Sequence, residues 1–213
     1  MAAAVLWDID GTLVDSEPLH EAALVGALTT LGIEPPPDFH ELVVGRDAAA
    51  IHAWCVAQLG LQLGLKDWLR LKYRSYFASV HALEPRERAV DLFVELERHG
   101  HVQGLVSNSD RLVVQANLEA AGLAAPGRVS VARNDVRAGK PDPEAYLRAA
   151  WLLQAEPADC IVVEDSTTGA AAGVAAGMRT LFWPQDPVSA PSGAEAIADM
   201  ATLEAALREG RTR

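Results

Sequence analysis

The chain has 213 residues, enough for one domain or for a domain carrying a modest insert. Half of it is hydrophobic and 22% is charged, an ordinary globular composition that excludes wholesale disorder. Eighteen Lys and Arg against 29 Asp and Glu leave a formal net charge of −11, which argues against a nucleic-acid partner gripped through its phosphates and against docking on anionic lipid, though not against a small phosphorylated molecule. Cys55 and Cys160 are too few and too far apart for a disulfide scaffold and read as small buried hydrophobes. No basic segment precedes the apolar start Met1–Leu6, and no apolar run approaches the roughly 20 residues of a membrane helix. The expected location is the cytoplasm, with a monomer as the expected state.

Residues 3–7 form a short apolar run that stops at a cluster of acidic and turn-forming residues, which predicts a buried strand. Ser16 suits an N-cap, Pro18 a first helical turn and Gly32 a C′ position, so a helix is expected between them. Pro35, Pro36 and Pro37 forbid its continuation. From there to about Val80 only helical patterns occur. Trp54, Trp68 and Trp151 sit at helical spacings and are expected in cores.

The second half alternates. Ala89, Leu92, Phe93 and Leu96 share a helical face closed by Gly100. Strand-like segments at 102–107, 128–132, 160–164 and 179–183 alternate with helix-like segments at 111–121, 143–154 and 167–176. Residues 185–194 read as a loop and 202–208 as a short last helix. Such alternation predicts a doubly wound parallel sheet. The expected architecture is an α/β core, residues 1–15 and 83–213, interrupted by an all-helical insert, residues 16–82.

In open α/β sheets ligands bind beyond the carboxyl ends of the strands. The polar residues placed there are Asp8, Asp10 and Thr12, then Ser107, Asn108 and Ser109, then Lys140, then Glu164 and Asp165. Like charges about 4 Å apart repel by roughly 4 kcal/mol at an effective dielectric of about 20. A divalent cation resolves that conflict, and oxygen-only donors beside a phosphate favour Mg²⁺. Lys140 adds positive charge and can hold a transferring phosphoryl group against a nucleophile. Gly11 permits a tight turn and a close approach to a ligand. Ser107 and Asn108 can offer a hydroxyl and backbone N–H groups to phosphate oxygens. With Mg²⁺ the set supports phosphoryl transfer, in which one carboxylate can attack and a second can move the proton.

Four segments then resemble the motifs of the haloacid dehalogenase superfamily phosphatases: Asp8-Ile9-Asp10-Gly11-Thr12-Leu13-Val14-Asp15-Ser16-Glu17, Val106-Ser107-Asn108-Ser109, Gly139-Lys140-Pro141-Asp142-Pro143 and Val163-Glu164-Asp165-Ser166-Thr167-Thr168-Gly169. They lie in the family's order and spacing across residues 8–169, and the insert is similar to the cap of the β-phosphoglucomutase and phosphoglycolate phosphatase branch. The resemblance implies a Rossmann-like core and a Mg²⁺-dependent phosphatase acting on a sugar phosphate or phospho-acid. It implies Asp8 as nucleophile, Asp10 as general acid/base and metal ligand through its backbone carbonyl, and Asp165 and Glu164 in or beside the metal shell. It further implies Ser107, Asn108 and Gly11 around the phosphate, and Lys140 bridging Asp8 and phosphate. From the insert it implies His20 and the loop Gly45-Arg46-Asp47 as substrate contacts, although a lone histidine is more often structural. Two departures stand out: Trp7 replaces the family's Phe, and Glu84-Pro85-Arg86 replaces a Pro-Gly. The alternatives are a phosphomutase with the same core, a 2-haloacid dehalogenase, against which Asp10 argues, and a binding module that has lost catalysis.

Overall fold

The computed structural model describes residues 4–43, 46 and 48–209. The first strand, β1, is Ala4–Trp7; Ala3, also expected there, lies outside the described residues. A two-residue strand, β2 (Val14–Asp15), precedes four helices: α1 (Glu17–Thr30), α2 (Phe39–Val43), α3 (Ala48–Leu59) and α4 (Leu65–Ser79). Then come β3 (Glu84–Pro85), α5 (Ala89–Arg98), β4 (Gln103–Val106), α6 (Arg111–Ala120), β5 (Val129–Val131) and α7 (Glu144–Leu152). The chain ends with β6 (Cys160–Glu164), α8 (Thr167–Ala175), β7 (Arg179–Phe182), β8 (Glu195–Ala196) and α9 (Met200–Glu209).

These elements form two compact units. One comprises residues 1–15 and 84–213 and contains a six-stranded parallel sheet in the order β5-β4-β1-β6-β7-β8. This is the doubly wound sheet with flanking helices that the alternating pattern predicts. Its central strands have no exposed face, so they read as continuous apolar runs: Ala4–Trp7 and Cys160–Glu164 are buried throughout. Chain order reverses between β1 and β6, which opens a crevice at their carboxyl ends. The Trp7 exchange has a structural consequence, because an indole needs an acceptor when buried. Gln103 supplies it: Trp7 Nε1 donates to Gln103 Oε1 at 2.9 Å, and Gln103 Nε2 donates to the Phe93 carbonyl at 2.9 Å.

Three two-residue strands were not expected, one of them β8, which pairs parallel with β7 at the edge of the main sheet. Val14–Asp15 and Glu84–Pro85 pair antiparallel as a small separate sheet. Two-residue strands carry no period, so no pattern could reveal them. Trp151 also departs from expectation. The inner face of α7 is Ala145, Tyr146, Ala149 and Ala150, and Trp151 lies off that face with 76% of its surface exposed.

The other unit, residues 16–83, is helical. Leu24, Ala27 and Leu28 of α1 cluster with Phe39, Val43, Ile51, Cys55, Leu61 and Trp68. Ser16 is the N-cap residue of α1, yet its backbone is α-helical rather than extended and its side chain makes no cap bond. Gly32 has φ +71°, as a C′ glycine requires. Cys55 and Cys160 are buried free thiols. No helix among the described residues is long and apolar enough to cross a membrane.

Candidate active site

The crevice at the carboxyl ends of β1 and β6 gathers the acids. Asp8 follows β1, Glu164 ends β6, and Asp165 follows it. Carboxylate oxygens of these three lie within 4.8 Å of one another. Asp8 is 6% exposed and Glu164 fully buried. Lys140 enters from the loop after β5, itself only 7% exposed. Its Nζ donates to Asp8 Oδ1 at 2.5 Å, to Glu164 Oε1 at 2.5 Å and to the Val106 carbonyl at 3.0 Å. One buried cation therefore faces three buried or half-buried carboxylates.

The electrostatics follow. Burial, then the Glu164 charge, pushes Asp8 well above the ordinary carboxylate range, although Lys140 pulls the other way. The same two causes raise Asp165 to about 7, against the bond from Thr12 and the charges of Arg86 and Lys140. Burial alone would lower Lys140, but the charges of Asp8 and Glu164 outweigh it and hold the ammonium above its usual value. The donor set is all oxygen, it carries more negative charge than Lys140 neutralises, and its carboxyls resist ionising together. Those properties fit a hard divalent cation.

Glu164 is committed elsewhere in the same cluster. Besides Lys140, Oε1 accepts from Tyr146 Oη at 2.7 Å, while Oε2 accepts from the Ser166 N–H at 3.2 Å and the Ser166 hydroxyl at 3.0 Å. That fills the roughly four acceptor sites of a carboxylate. Glu164, expected in or beside the metal shell, lies within reach of an ion shared with Asp8 and Asp165, and its bonds also make it the anchor of Lys140. Gly169, in the first turn of α8, leaves the room it needs.

Asp10 departs from the expected grouping of four carboxylates. Its carboxylate does not join the other three. Oδ2 accepts from Ser107 Oγ at 2.7 Å and Ser109 Oγ at 2.9 Å, and Oδ1 from Asn117 Nδ2 at 2.8 Å. The expected four-carboxylate cluster is a three-carboxylate one among the described residues, since an extended i, i+2 pair requires straight backbone and the chain turns after Ile9. Leu13 and Val14 N–H groups both bond back to the Ile9 carbonyl. Ser107 Oγ, expected at a phosphate, donates to Asp10 and accepts from the Ser109 N–H at 2.8 Å. Asn108 grips the Lys140 backbone in both directions, Nδ2 to its carbonyl at 3.1 Å and Oδ1 from its N–H at 2.9 Å. Its side chain thus holds the lysine loop in place.

Gly11 is needed on two counts. Its φ is +87°, and an added Cβ would lie 2.2 Å from Asp165 Oδ2. Thr12 Oγ1 donates to Asp165 Oδ1 at 2.8 Å, so its partner is Asp165. His20 belongs to the helical unit, where its ring stacks on Tyr76 with centroids 4.6 Å apart. Arg46 is exposed in the same unit; its expected loop companions Gly45 and Asp47 lie outside the described residues.

Three residues escaped sequence reasoning. Tyr146 shares the buried face of α7 with Ala145, Ala149 and Ala150, and nothing in its spacing marks it out. Asn117 carried a signal, a polar residue on the buried stripe Val113, Val114 and Leu118 of α6. Arg86 carried one too, as the departure from Pro-Gly. Its guanidinium donates to the carbonyls of Gly11 at 2.8 Å, Trp183 at 2.7 Å and Pro184 at 3.0 Å, and lies over the Trp183 ring, 3.5 Å from its centroid. Arg86 thereby ties the loop after β1 to the end of β7.

Comparison with known proteins adds to this geometry. A family model described as haloacid dehalogenase-like hydrolase matches residues 2–177. The chain is similar to hexitol phosphatase A of Escherichia coli (strain K12), 31% identical over 176 residues that cover 83% of this chain and 80% of that protein. It is similar to the bifunctional riboflavin kinase/FMN phosphatase of Arabidopsis thaliana, 29% identical over 188 residues that cover 88% of this chain, and it spans only 50% of that relative's length. Among solved structures, the HAD family hydrolase from Deinococcus radiodurans R1, crystallised with bound phosphate and sodium, matches with a TM-score of 0.75 at 29% identity over 98% of this chain and 96% of that one.

Proposed function

Because the chain belongs to the haloacid dehalogenase-like hydrolase family, we propose that it is a Mg²⁺-dependent phosphatase hydrolysing a small phosphorylated metabolite, a sugar phosphate or phospho-acid, through an aspartyl-phosphate on Asp8. The observation that carries this reading is Lys140 Nζ, seated at 2.5 Å from both Asp8 and Glu164 beside Asp165 in the switch-point crevice. Hexitol phosphatase A and the phosphate-bound hydrolase support the substrate class by likeness.

In this reading Asp8 and Asp165, with Asp10 through its main chain, would hold the cation, and Glu164 would stand beside it. Bound there, Mg²⁺ supplies positive charge to the three carboxylates and to the phosphoryl oxygens. Asp8 attacks phosphorus as the ester P–O bond breaks, and Asp10 gives the leaving oxygen its proton. Asp10 then takes a proton from water, whose oxygen bonds to phosphorus as the Asp8–phosphorus bond breaks. Alcohol and inorganic phosphate leave, and Asp10 is again protonated. Lys140 offsets the charge of Asp8 throughout and keeps its attacking oxygen in place. Ser107, Gly11 and the Asn108 backbone line the phosphate. Residues 1–15 and 83–213 carry this chemistry, and the insert with His20 and Arg46 selects the substrate.

The test is a phosphate-release screen over phosphorylated metabolites, with and without Mg²⁺, on the parent and Asp8→Asn. Release that a chelator abolishes and Mg²⁺ restores is expected, together with no turnover by Asp8→Asn at unchanged circular dichroism. Turnover by Asp8→Asn overturns the nucleophile assignment.

A further inference from the structure

Asn117 lies at a position where physical chemistry disfavours it. It sits in the interior of α6, on the stripe formed by Val113, Val114 and Leu118, and is fully buried. Asparagine is a weak helix former, and burying an amide costs about 1–3 kcal/mol unless a partner compensates. An apolar residue would complete the stripe. What Asn117 does instead is donate Nδ2 to Asp10 Oδ1 at 2.8 Å, across 107 positions of sequence. Ser107 and Ser109 occupy the other oxygen of that carboxylate. The two oxygens of Asp10 are therefore held from two elements, α6 and the loop after β4. That fixes the rotation of the carboxylate plane.

We propose that Asn117, together with Ser109, is a positioning residue for proton transfer by Asp10. The inference rests on the reading of Asp10 as general acid/base. Asn117 touches no reacting atom; it acts by orienting the group that does. A proton donor counts most when the leaving group is a poor one. An alkoxide leaving from a sugar phosphate needs the proton, whereas 4-nitrophenolate leaves without it. A residue that only props up the fold affects both esters alike.

The experiment measures kcat and KM of the parent, Asn117→Leu, Ser109→Ala and Asp10→Asn on two esters: 4-nitrophenyl phosphate and the primary-alcohol phosphate turned over best in the phosphate-release screen. For Asn117→Leu, kcat/KM on the alkyl ester, which ends at the departure of the alcohol and so reports the acid step, is expected to fall about tenfold to a hundredfold, the span of a hydrogen bond to a charged group. On the aryl ester kcat/KM should change by less than about threefold, because 4-nitrophenolate departs unaided; kcat also contains the hydrolysis of the aspartyl-phosphate common to both esters and is not the discriminating readout. Ser109→Ala is expected to show the same pattern, more weakly, and it keeps the test open if the buried substitution unfolds the chain. In the Asp10→Asn background, Asn117→Leu should cost nothing further on the alkyl ester. Equal losses of kcat/KM on both esters, or undiminished loss in the Asp10→Asn background, overturn the proposal. If Asp10→Asn itself shows no alkyl-selective loss of kcat/KM, the acid/base reading of Asp10 has failed instead.

Discussion

Gly169→Ala sets two physical arguments against each other. Gly169 lies in α8, and by helix propensity alone alanine should stabilise it by about 1 kcal/mol. The tertiary structure predicts the opposite sign. An alanine Cβ would sit 1.8 Å from Glu164 Oε1 and 2.3 Å from Oε2. Even a tight contact of about 3 Å would require a shift of more than about 1 Å, and both oxygens are engaged. Oε1 accepts from Lys140 and Tyr146, and Oε2 from Ser166. Breaking a buried ionic network costs about 3–5 kcal/mol, so the net loss after the propensity gain is about 2–4 kcal/mol. At this size each kcal/mol lowers Tm by about 2–4 °C, giving a fall of about 5–15 °C in a thermal melt. Gly173→Ala in the same helix meets the Thr180 hydroxyl at 2.6 Å and Val162 at 3.1 Å, neither part of an ion pair, and should lose less. A Gly169→Ala protein that melts at or above the parent's temperature would refute the account of Glu164 as a space-restricted anchor.

The cation and Arg86 give further tests. Asp8 and Asp165 are raised in the folded chain, so without metal the folded state binds more protons than the unfolded one between about pH 4 and pH 7, and stability falls as pH rises through that window. Mg²⁺ must displace those protons: proton release, followed with an indicator dye, should be larger near pH 6 than near pH 9, and no release near pH 6 would contradict the shared-cation geometry. Arg86→Met retains a flexible stem over Trp183 but removes the donors to Gly11, Trp183 and Pro184. It should lower the unfolding free energy by about 2–4 kcal/mol in urea titration, and Arg86→Lys should recover less than half of that, because an ammonium lacks the guanidinium fork. An unchanged urea midpoint in Arg86→Met would show that the clamp contributes nothing.

The architecture was legible because it rests on local patterns. β6 was expected at 160–164 and spans Cys160–Glu164, since a strand buried on both faces is an unbroken apolar run. The crevice was legible for a topological reason: alternating strands and helices place Asp8, Ser107, Lys140 and Asp165 at one end of the sheet whatever their side chains do. What sequence spacing could not decide is where each carboxylate points. Asp8 and Asp10 are two residues apart, yet a turn closed on the Ile9 carbonyl sends one toward Lys140 and the other toward Ser107, Ser109 and Asn117. Glu164 and Asp165 are adjacent, yet one is saturated by Lys140, Tyr146 and Ser166 while the other keeps Thr12. Those partners lie 18 to 153 positions away, apart from Ser166. Composition and period determine which residues reach the rim; only packing from distant elements determines which oxygen faces which donor, because a side-chain rotamer is settled by its neighbours in space.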